Sequence, residues 1–553
     1  MVSARLLAVA APPLLVAVLV ILNGWPGLMP GVGFWDTGEF QTVLPIMGTA
    51  HPTGYPTYVL VGFLANILLT PIGEPAFRIN ALSLLAVATA AGATVLLVRR
   101  LTGSTIIGVA TGLGLATTPL VWVNATRADP HPIHLAFVAL LLLALVRWEQ
   151  ERRASGEQVE TAPAPATRVG SGSEREPAPE PEPGTASADA GRRPDRWLVL
   201  AAILFGLAVG NHSLTLLLVP PIGLFVLAVE PDIWRRPRLV LTCLAAVLVT
   251  VVLVFLQLPI RGGLLPAPLI YGRPATWDGF WYIALAEQFR GAVGNPFADL
   301  AGKLDNLVAF AVAQYGLLAL AIPPAFIVAA RRAPRYTLLT GLALVITVLF
   351  NQAYVNADIG RYYLGPVLWV WTWLGILGAE VADLAAVLVA NLAGRKPGSF
   401  DSPALRRASM VAAAIVGVVL LLPAVDDLDV RRKAADRSND RSAAAWLREA
   451  LPAVPQDAVL ISWWSTSTPL WYAQKVQGLR PDLFIVDDRT MLDLQLGRAP
   501  DVIRRYLGTR PVYVIRANDR DLTELTSQFD MALVAGGGST GVYAVHDRLA
   551  ASP

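Results

Sequence analysis

Apolar runs long enough to cross a bilayer recur through the first 424 residues, and no other property of the sequence constrains its fold as tightly. A hydrocarbon layer of about 30 Å takes roughly 20 helical residues, and unpaired backbone polar groups are too costly there, so such runs become helices. With 54% hydrophobic and 15% charged residues, and a mean hydropathy of +0.53, the chain is too apolar for an ordinary soluble protein. The net charge of +3 indicates no nucleic-acid partner, because the arginines gather at the ends of apolar runs, where topology accounts for them. A lone cysteine, Cys243, leaves no internal disulfide.

Basic residues favour the cytoplasmic side, which sets the direction of each crossing. Arg5 puts the start of the first run, 6–23, inside, so residues 24–79 form a first external loop. Within that loop the run 59–69 is too short to cross and reads as interfacial or re-entrant. The next run, 80–98, then travels inward and ends on Arg99-Arg100. The same reckoning places further crossings at 105–122, 135–146, twice within 197–229 around a break at Asn211-His212, and at 239–258, 307–330, 336–350, 363–390 and 408–423. The sequence therefore predicts a polytopic α-helical membrane protein of about 11 transmembrane helices, with residues 1–424 as its membrane domain. Residues 149–196, rich in Pro, Glu, Ala, Ser and Arg, read as a disordered cytoplasmic linker, and 259–306 as a long external loop. No small-residue cleavage site follows residues 1–22, so a multi-pass plasma-membrane protein with a cytoplasmic N-terminus is expected.

Residues 425–553 have a different texture. Strand-like runs at 458–463, 483–486, 512–515, 532–534 and 542–545 alternate with helical patterns, which predicts a small extracytoplasmic α/β domain. Gly536-Gly537-Gly538 lies between two of these strands and reads as a hairpin turn ahead of a phosphate loop.

The stretch at 34–58, FWDTGEFQTVLPIMGTAHPTGYPTY, carries Asp36, Glu39 and His51 where a plain connector needs only a few polar residues. Acids beside a span are commonly solvated loop charges. Here Phe34 and Trp35 flank them, and desolvation is expected to raise a carboxylate's pKa toward that of a general base. By the same topology Arg78, Asp129, His131, His134, His212, Arg261, Asp278, Glu287, Arg290, Asp358 and Arg361 also face outward. Ionisable groups at membrane depth are costly and mark function. Carboxylates, histidines and arginines on one face suit chemistry on an anionic, membrane-anchored substrate. Several have an equally good structural reading: His131 and His134 flank Pro132 at a helix start, His212 follows Asn211 in a helix break, and Arg361 adjoins Tyr362-Tyr363 as an interface anchor. No HExxH or cysteine-pair spacing is present, so no metal site is expected.

WDTGEF and AHPTGYP, with FRINALSLL at 77–85, GLAVGNHSLTLL at 206–217, LPIRGGLLPAPLIYGRPATW at 258–277 and ISWWSTSTPLWYAQKVQGLRPDLFIV at 461–486, carry a resemblance. The chain is similar to a polytopic family that includes the animal transmembrane O-mannosyltransferase of IPT folds in plexins and receptor kinases. The family's motifs usually read Asp-Ser-Gly-Glu and His-Pro-Pro-Gly-Tyr-Pro; here Thr37 and Thr53 depart from them while the acids and histidine stay. The family looks like a branch of the GT-C membrane glycosyltransferases. The resemblance implies inverting transfer of a sugar, mannose being the first expectation, from a polyprenyl-phosphate carrier to an acceptor hydroxyl of a protein or glycan on the external face. It implies Asp36 as catalytic base with Glu39 as partner or substitute. Substrate and lipid-phosphate contacts fall on His51, Tyr55, Arg78, Asp129, His131, Asn211, His212, Arg261, Asp358 and Arg361, with no metal or cofactor. A membrane transporter or lipid flippase is the rival reading, disfavoured because no internal repeat is visible and the polar groups crowd one face. An envelope scaffold accounts for the C-terminal domain alone.

Overall fold

In the computed structural model the described residues are 2–160, 185–356, 358–392, 403–515 and 519–548. The first eight helices are α1 (Val2–Gly24), α2 (Trp35–Val43), α3 (Pro56–Leu68), α4 (Pro75–Thr102), α5 (Thr105–Thr117), α6 (Pro119–Ala125), α7 (Pro130–Glu160) and α8 (Thr185–Asn211). Proline opens α3, α4 and α6, where its fixed φ suits the first turn and its missing N–H costs nothing. α4 carries Arg99 and Arg100 in its last turn, complementing the helix dipole, and stops at Gly103, whose φ of +77° only glycine adopts without strain.

Among the described residues eight helices are long and apolar enough to cross a membrane, and the α5–α6 pair, bent by 66°, makes a possible ninth span. The other two expected crossings fall on α8 and on Ser213–Val229, the latter one of the shorter apolar helices. α3, at 13 residues, is short as well. α4 and α7 are enclosed on most sides, whereas Pro237–Leu264 and Leu300–Arg332 turn most of their apolar surface outward, as a lipid-facing helix does. The enclosed centre is tightly packed: a Cβ on Gly114 would lie 2.5 Å from the Trp371 ring.

The expected linker differs at both ends. Residues 149–160 continue α7 and 185–196 belong to α8, because the helical runs carry past the last apolar residue; its middle, 161–184, lies outside the described residues. The loop expected at 259–306 is folded rather than open, containing the helix Trp277–Ala284 and ending where Leu300 begins the next helix.

The C-terminal residues form a five-stranded sheet, β1 (Val459–Ile461), β2 (Phe484–Val486), β3 (Val512–Ile515), β4 (Asp530–Ala535) and β5 (Val542–His546), in the order β2-β1-β3-β5-β4. β1 pairs in parallel with β2 and β3, while β5 runs antiparallel to β3 and β4. The glycine run lies in the β4–β5 connection, a hairpin as its spacing predicts. This domain sits directly on the first loop. Trp446 meets Phe34 at 5.8 Å between ring centroids, the Ala76 N–H donates to Tyr472 Oη at 3.1 Å, and Thr126 Oγ1 donates to the Ala435 carbonyl at 2.8 Å. The closest approach is at Gly38 on α2, where a Cβ would stand 2.3 Å from the Gly33 carbonyl and 2.8 Å from Thr468 Oγ1.

Candidate functional site

Between the first loop, the starts of α7 and the Leu364–Leu392 region, and the C-terminal domain lies a cavity of about 880 Å³. Its floor begins at α2. Asp36 stands in the first turn of that helix, where a carboxylate is favoured by the N–H groups and the dipole. Its Oδ2 accepts from Arg361 Nη2 at 3.0 Å and its Oδ1 from Trp464 Nε1 at 3.1 Å. Burial works against ionisation of Asp36, but His51, Arg361 and the Trp464 N–H outweigh it and hold the carboxyl below the ordinary aspartate value. This reverses the sequence expectation: burial does desolvate the acid, but His51 of the same loop, and after it Arg361 from a distant segment, turn the sign.

Three residues later, Glu39 faces away from the cavity and is fully buried. Its two oxygens are committed to His51, one accepting from the backbone N–H at 2.7 Å and the other meeting Nδ1. The far side of that ring, Nε2, reaches Tyr55 Oη at 3.2 Å. Burial opposes protonation of His51, yet the Glu39 carboxylate, with help from Asp36, raises its pKa above the ordinary histidine value. Trp35 and Tyr55, both lining the cavity, have φ of +58° and +46°, a left-handed backbone that bulky side chains avoid unless their surroundings enforce it.

Arg361 is the hub. Besides Asp36 it reaches Asp129 Oδ2 at 3.0 Å and Asp358 Oδ2 at 3.3 Å, so one guanidinium joins carboxylates from three segments. Asp129 in turn accepts at Oδ1 from the His131 N–H at 2.8 Å and meets His131 Nδ1 at 2.7 Å. His131 and His212 lie 4.6 Å apart by ring centroids, and Tyr362 stacks on the former at 5.1 Å.

The structure thus gathers Asp36, His51, Tyr55, His131, His212, Asp358 and Arg361 around the cavity, with Glu39 and Asp129 directly behind it. Three further expected site residues do not line this cavity. Arg78 donates to the carbonyls of Gly73 and Asn66 and fastens the α3–α4 turn. Arg261 donates to the carbonyls of Met47 and Ile46, spending its charge on loop backbone. Asn211 is buried against the Pro130 carbonyl at 3.0 Å, outside the cavity lining. Sequence reasoning missed Arg127, whose buried Nε has no hydrogen-bond partner among the described residues, together with Trp464, Asp488 and Arg489 from the C-terminal domain. The Trp463-Trp464 pair just after a strand was the visible signal for that domain's part. Among the described residues no group of three or more His, Cys, Asp or Glu side chains forms a metal-ligand set.

Residues 36–234 match the family model described as Protein O-mannosyl-transferase TMEM260 N-terminal domain. That stretch is similar to the TMEM260 N-terminal domain. Its first matched residue is Asp36, and it includes Glu39, His51, Asp129, His131 and His212. Arg361 and Trp464, which hold Asp36, both lie beyond the matched residues, so the acid within that stretch is positioned by the rest of the chain. A curated relative, Protein O-mannosyl-transferase TMEM260 of Mus musculus, is 25% identical over 481 residues, covering 84% of this chain and 60% of the relative. The chain therefore spans three-fifths of that relative's length. Two solved structures of ArnT from Cupriavidus metallidurans share the fold with TM-scores of 0.56. The form bound to undecaprenyl phosphate is 14% identical, covering 98% of this chain and 99% of ArnT. The apo form is 15% identical, covering 98% of each chain. The fold of ArnT is thus shared over nearly the whole chain, the C-terminal residues included.

Proposed function

We propose that the protein is a glycosyltransferase that moves a sugar, mannose in the first instance, from a polyprenyl-phosphate carrier to an acceptor hydroxyl at the external membrane face. The observation that carries this reading is an ionised carboxylate, Asp36, opening into a cavity large enough for a sugar and a phosphate and held there by a hydrogen-bonded cation and an indole. The TMEM260 relative's name supplies the sugar and the reaction class, and the undecaprenyl phosphate bound to ArnT supplies the carrier class.

In this scheme Asp36 accepts the proton of the acceptor hydroxyl while that oxygen bonds to the anomeric carbon on the side opposite the phosphate. The bond from the anomeric carbon to the phosphate oxygen breaks, its electron pair leaves on the polyprenyl phosphate, and the configuration inverts. A carboxylate with a depressed pKa is a weak base in the ground state, so the proton moves late, once the forming bond has acidified the hydroxyl. Arg361 is already shared among three carboxylates and serves to aim Asp36. Offsetting the leaving phosphate's charge falls to Arg127 and Arg290, which line the same cavity. Glu39 acts through His51 as a positioning residue. The scheme places the cavity and the C-terminal domain outside the plasma membrane and the N-terminus inside, with about 11 crossings, and uses neither metal nor cofactor.

The test is reconstitution of the full chain in proteoliposomes with radiolabelled polyprenyl-phosphate mannose and a Ser/Thr acceptor peptide. Transfer with the anomeric linkage inverted relative to the donor is expected. Retention of configuration, or movement of the lipid between leaflets without transfer, would replace the scheme, the latter with a flippase.

A further inference from the structure

Among the described residues two buried nitrogens in the cavity wall find no partner. The Nε2 atoms of His131 and His212 are buried and make no hydrogen bond there, although both residues line the cavity and their rings are 4.6 Å apart. A buried polar atom left unpaired is costly, so a neighbouring pair of them calls for an explanation.

The inner nitrogens fix what the outer ones can offer. His131 Nδ1 meets Asp129 Oδ1 at 2.7 Å, and burial of Asp129 is outweighed by His131 and Arg361, which hold that carboxyl far below the ordinary range. An ionised carboxylate only accepts, so His131 Nδ1 carries the hydrogen, and in the neutral ring Nε2 presents a lone pair. At His212 the arrangement is inverted. Its Nδ1 accepts from the Leu214 N–H at 3.1 Å, which leaves the proton on Nε2. One imidazole therefore offers an acceptor and its neighbour a donor.

A hydroxyl group, or a water that it displaces, answers both at once, donating to one nitrogen and accepting from the other. A phosphate oxygen satisfies only the donor, and an ammonium only the acceptor. We infer that His131 and His212 form a hydroxyl-reading pair that selects the donor sugar by one ring hydroxyl. This deepens the proposed transferase reading and rests on it for the identity of the ligand. Tyr362, stacked on His131 at 5.1 Å and edge-on to His212 at 5.4 Å, is the wall against which the sugar would enter.

The experiment measures equilibrium binding and transfer in parallel, with the full chain in nanodiscs and polyprenyl-phosphate mannose or its 2-, 3-, 4- and 6-deoxy analogues. Wild type is expected to bind one deoxy donor roughly 100-fold more weakly than the parent, two hydrogen bonds at about tenfold each. His131→Asn and His212→Asn keep an amide for the inner contact, to Asp129 and to Leu214 respectively, while removing Nε2. In the double variant the penalty at that one position should shrink to within about threefold, with the other deoxy donors bound as in wild type. A wild type indifferent to every deoxy position, or a double variant with undiminished discrimination, overturns the inference and leaves the transferase reading standing. The expected binding pattern without sugar transfer overturns the transferase reading alone. Failure of wild type to bind any of these donors overturns both.

Discussion

At the scale of single residues the site is an argument about which charges are shared. Asp36 has one oxygen on Arg361 and the other on Trp464 Nε1, so its base strength and its aim depend on both partners. Trp464→Phe keeps an aromatic ring against Tyr271 and Trp471 but deletes the 3.1 Å hydrogen bond. Transfer should fall about tenfold or more, the size of a hydrogen bond to a charged group, with thermal stability little changed. A variant as active as wild type would remove the indole from the site. Arg361→Met leaves Asp129 and Asp36 without their cation and should cost about 3–5 kcal/mol of stability, read as a large drop in Tm. The pH dependence follows from the two opposed shifts. Asp36 titrates below its ordinary value of 3.8, so its contribution to stability is present above that value and lost only as pH falls through the lower, folded one. His51 titrates above its ordinary 6.5, so its contribution is full below 6.5 and lost as pH rises through the higher, folded value. Glu39→Gln removes the cause of the His51 shift. The Tm gap between wild type and this variant should therefore be widest near pH 6 and narrow toward alkaline pH; a gap constant with pH would contradict the pairing.

At the scale of elements, α2 is where the membrane domain and the C-terminal sheet domain meet, and Gly38 is the tightest point. Gly38→Ala would force its Cβ against the Gly33 carbonyl and Thr468 Oγ1, so α2 must shift, costing about 1–3 kcal/mol and displacing Asp36, two residues before it on the same helix. Loss of activity beyond the loss of stability is expected, measured as kcat on the fraction that remains folded at the assay temperature. Much at this scale was legible beforehand. The strand runs of the C-terminal domain fall within two residues or so of β1 to β5 because short β-branched runs bounded by turns have few other ways to pair. The break at Asn211-His212 was legible for a similar reason, since an apolar stretch of that length had to fold back. What the sequence could not give was Arg361's share in the Asp36 shift, beside that of the nearby His51, because Arg361 stands 325 positions away and its choice among three carboxylates is made by packing. The same holds for Arg78 and Arg261, outward-facing by topology yet consumed by local carbonyls that no spacing rule reveals.

At the scale of the whole molecule, the candidate site belongs to neither domain alone. The first loop supplies the acid, the Ile359–Tyr363 segment supplies the cation, and the C-terminal sheet domain supplies the indole and one wall. A chain truncated before the C-terminal domain should reach the membrane and bind lipid but transfer no sugar, whereas deletion of 161–184, which the sequence reads as linker, should leave turnover within about twofold. Membrane fractions from cells expressing each variant, assayed with labelled donor, distinguish these outcomes. The central claim is narrower than any of them: that the carboxylate of Asp36 takes the acceptor's proton. Its most direct test is single-turnover transfer by Asp36→Asn in proteoliposomes, with donor binding measured on the same preparation. A fall of at least about 100-fold in the transfer rate with donor affinity retained is predicted; near-normal transfer by that variant would contradict the account.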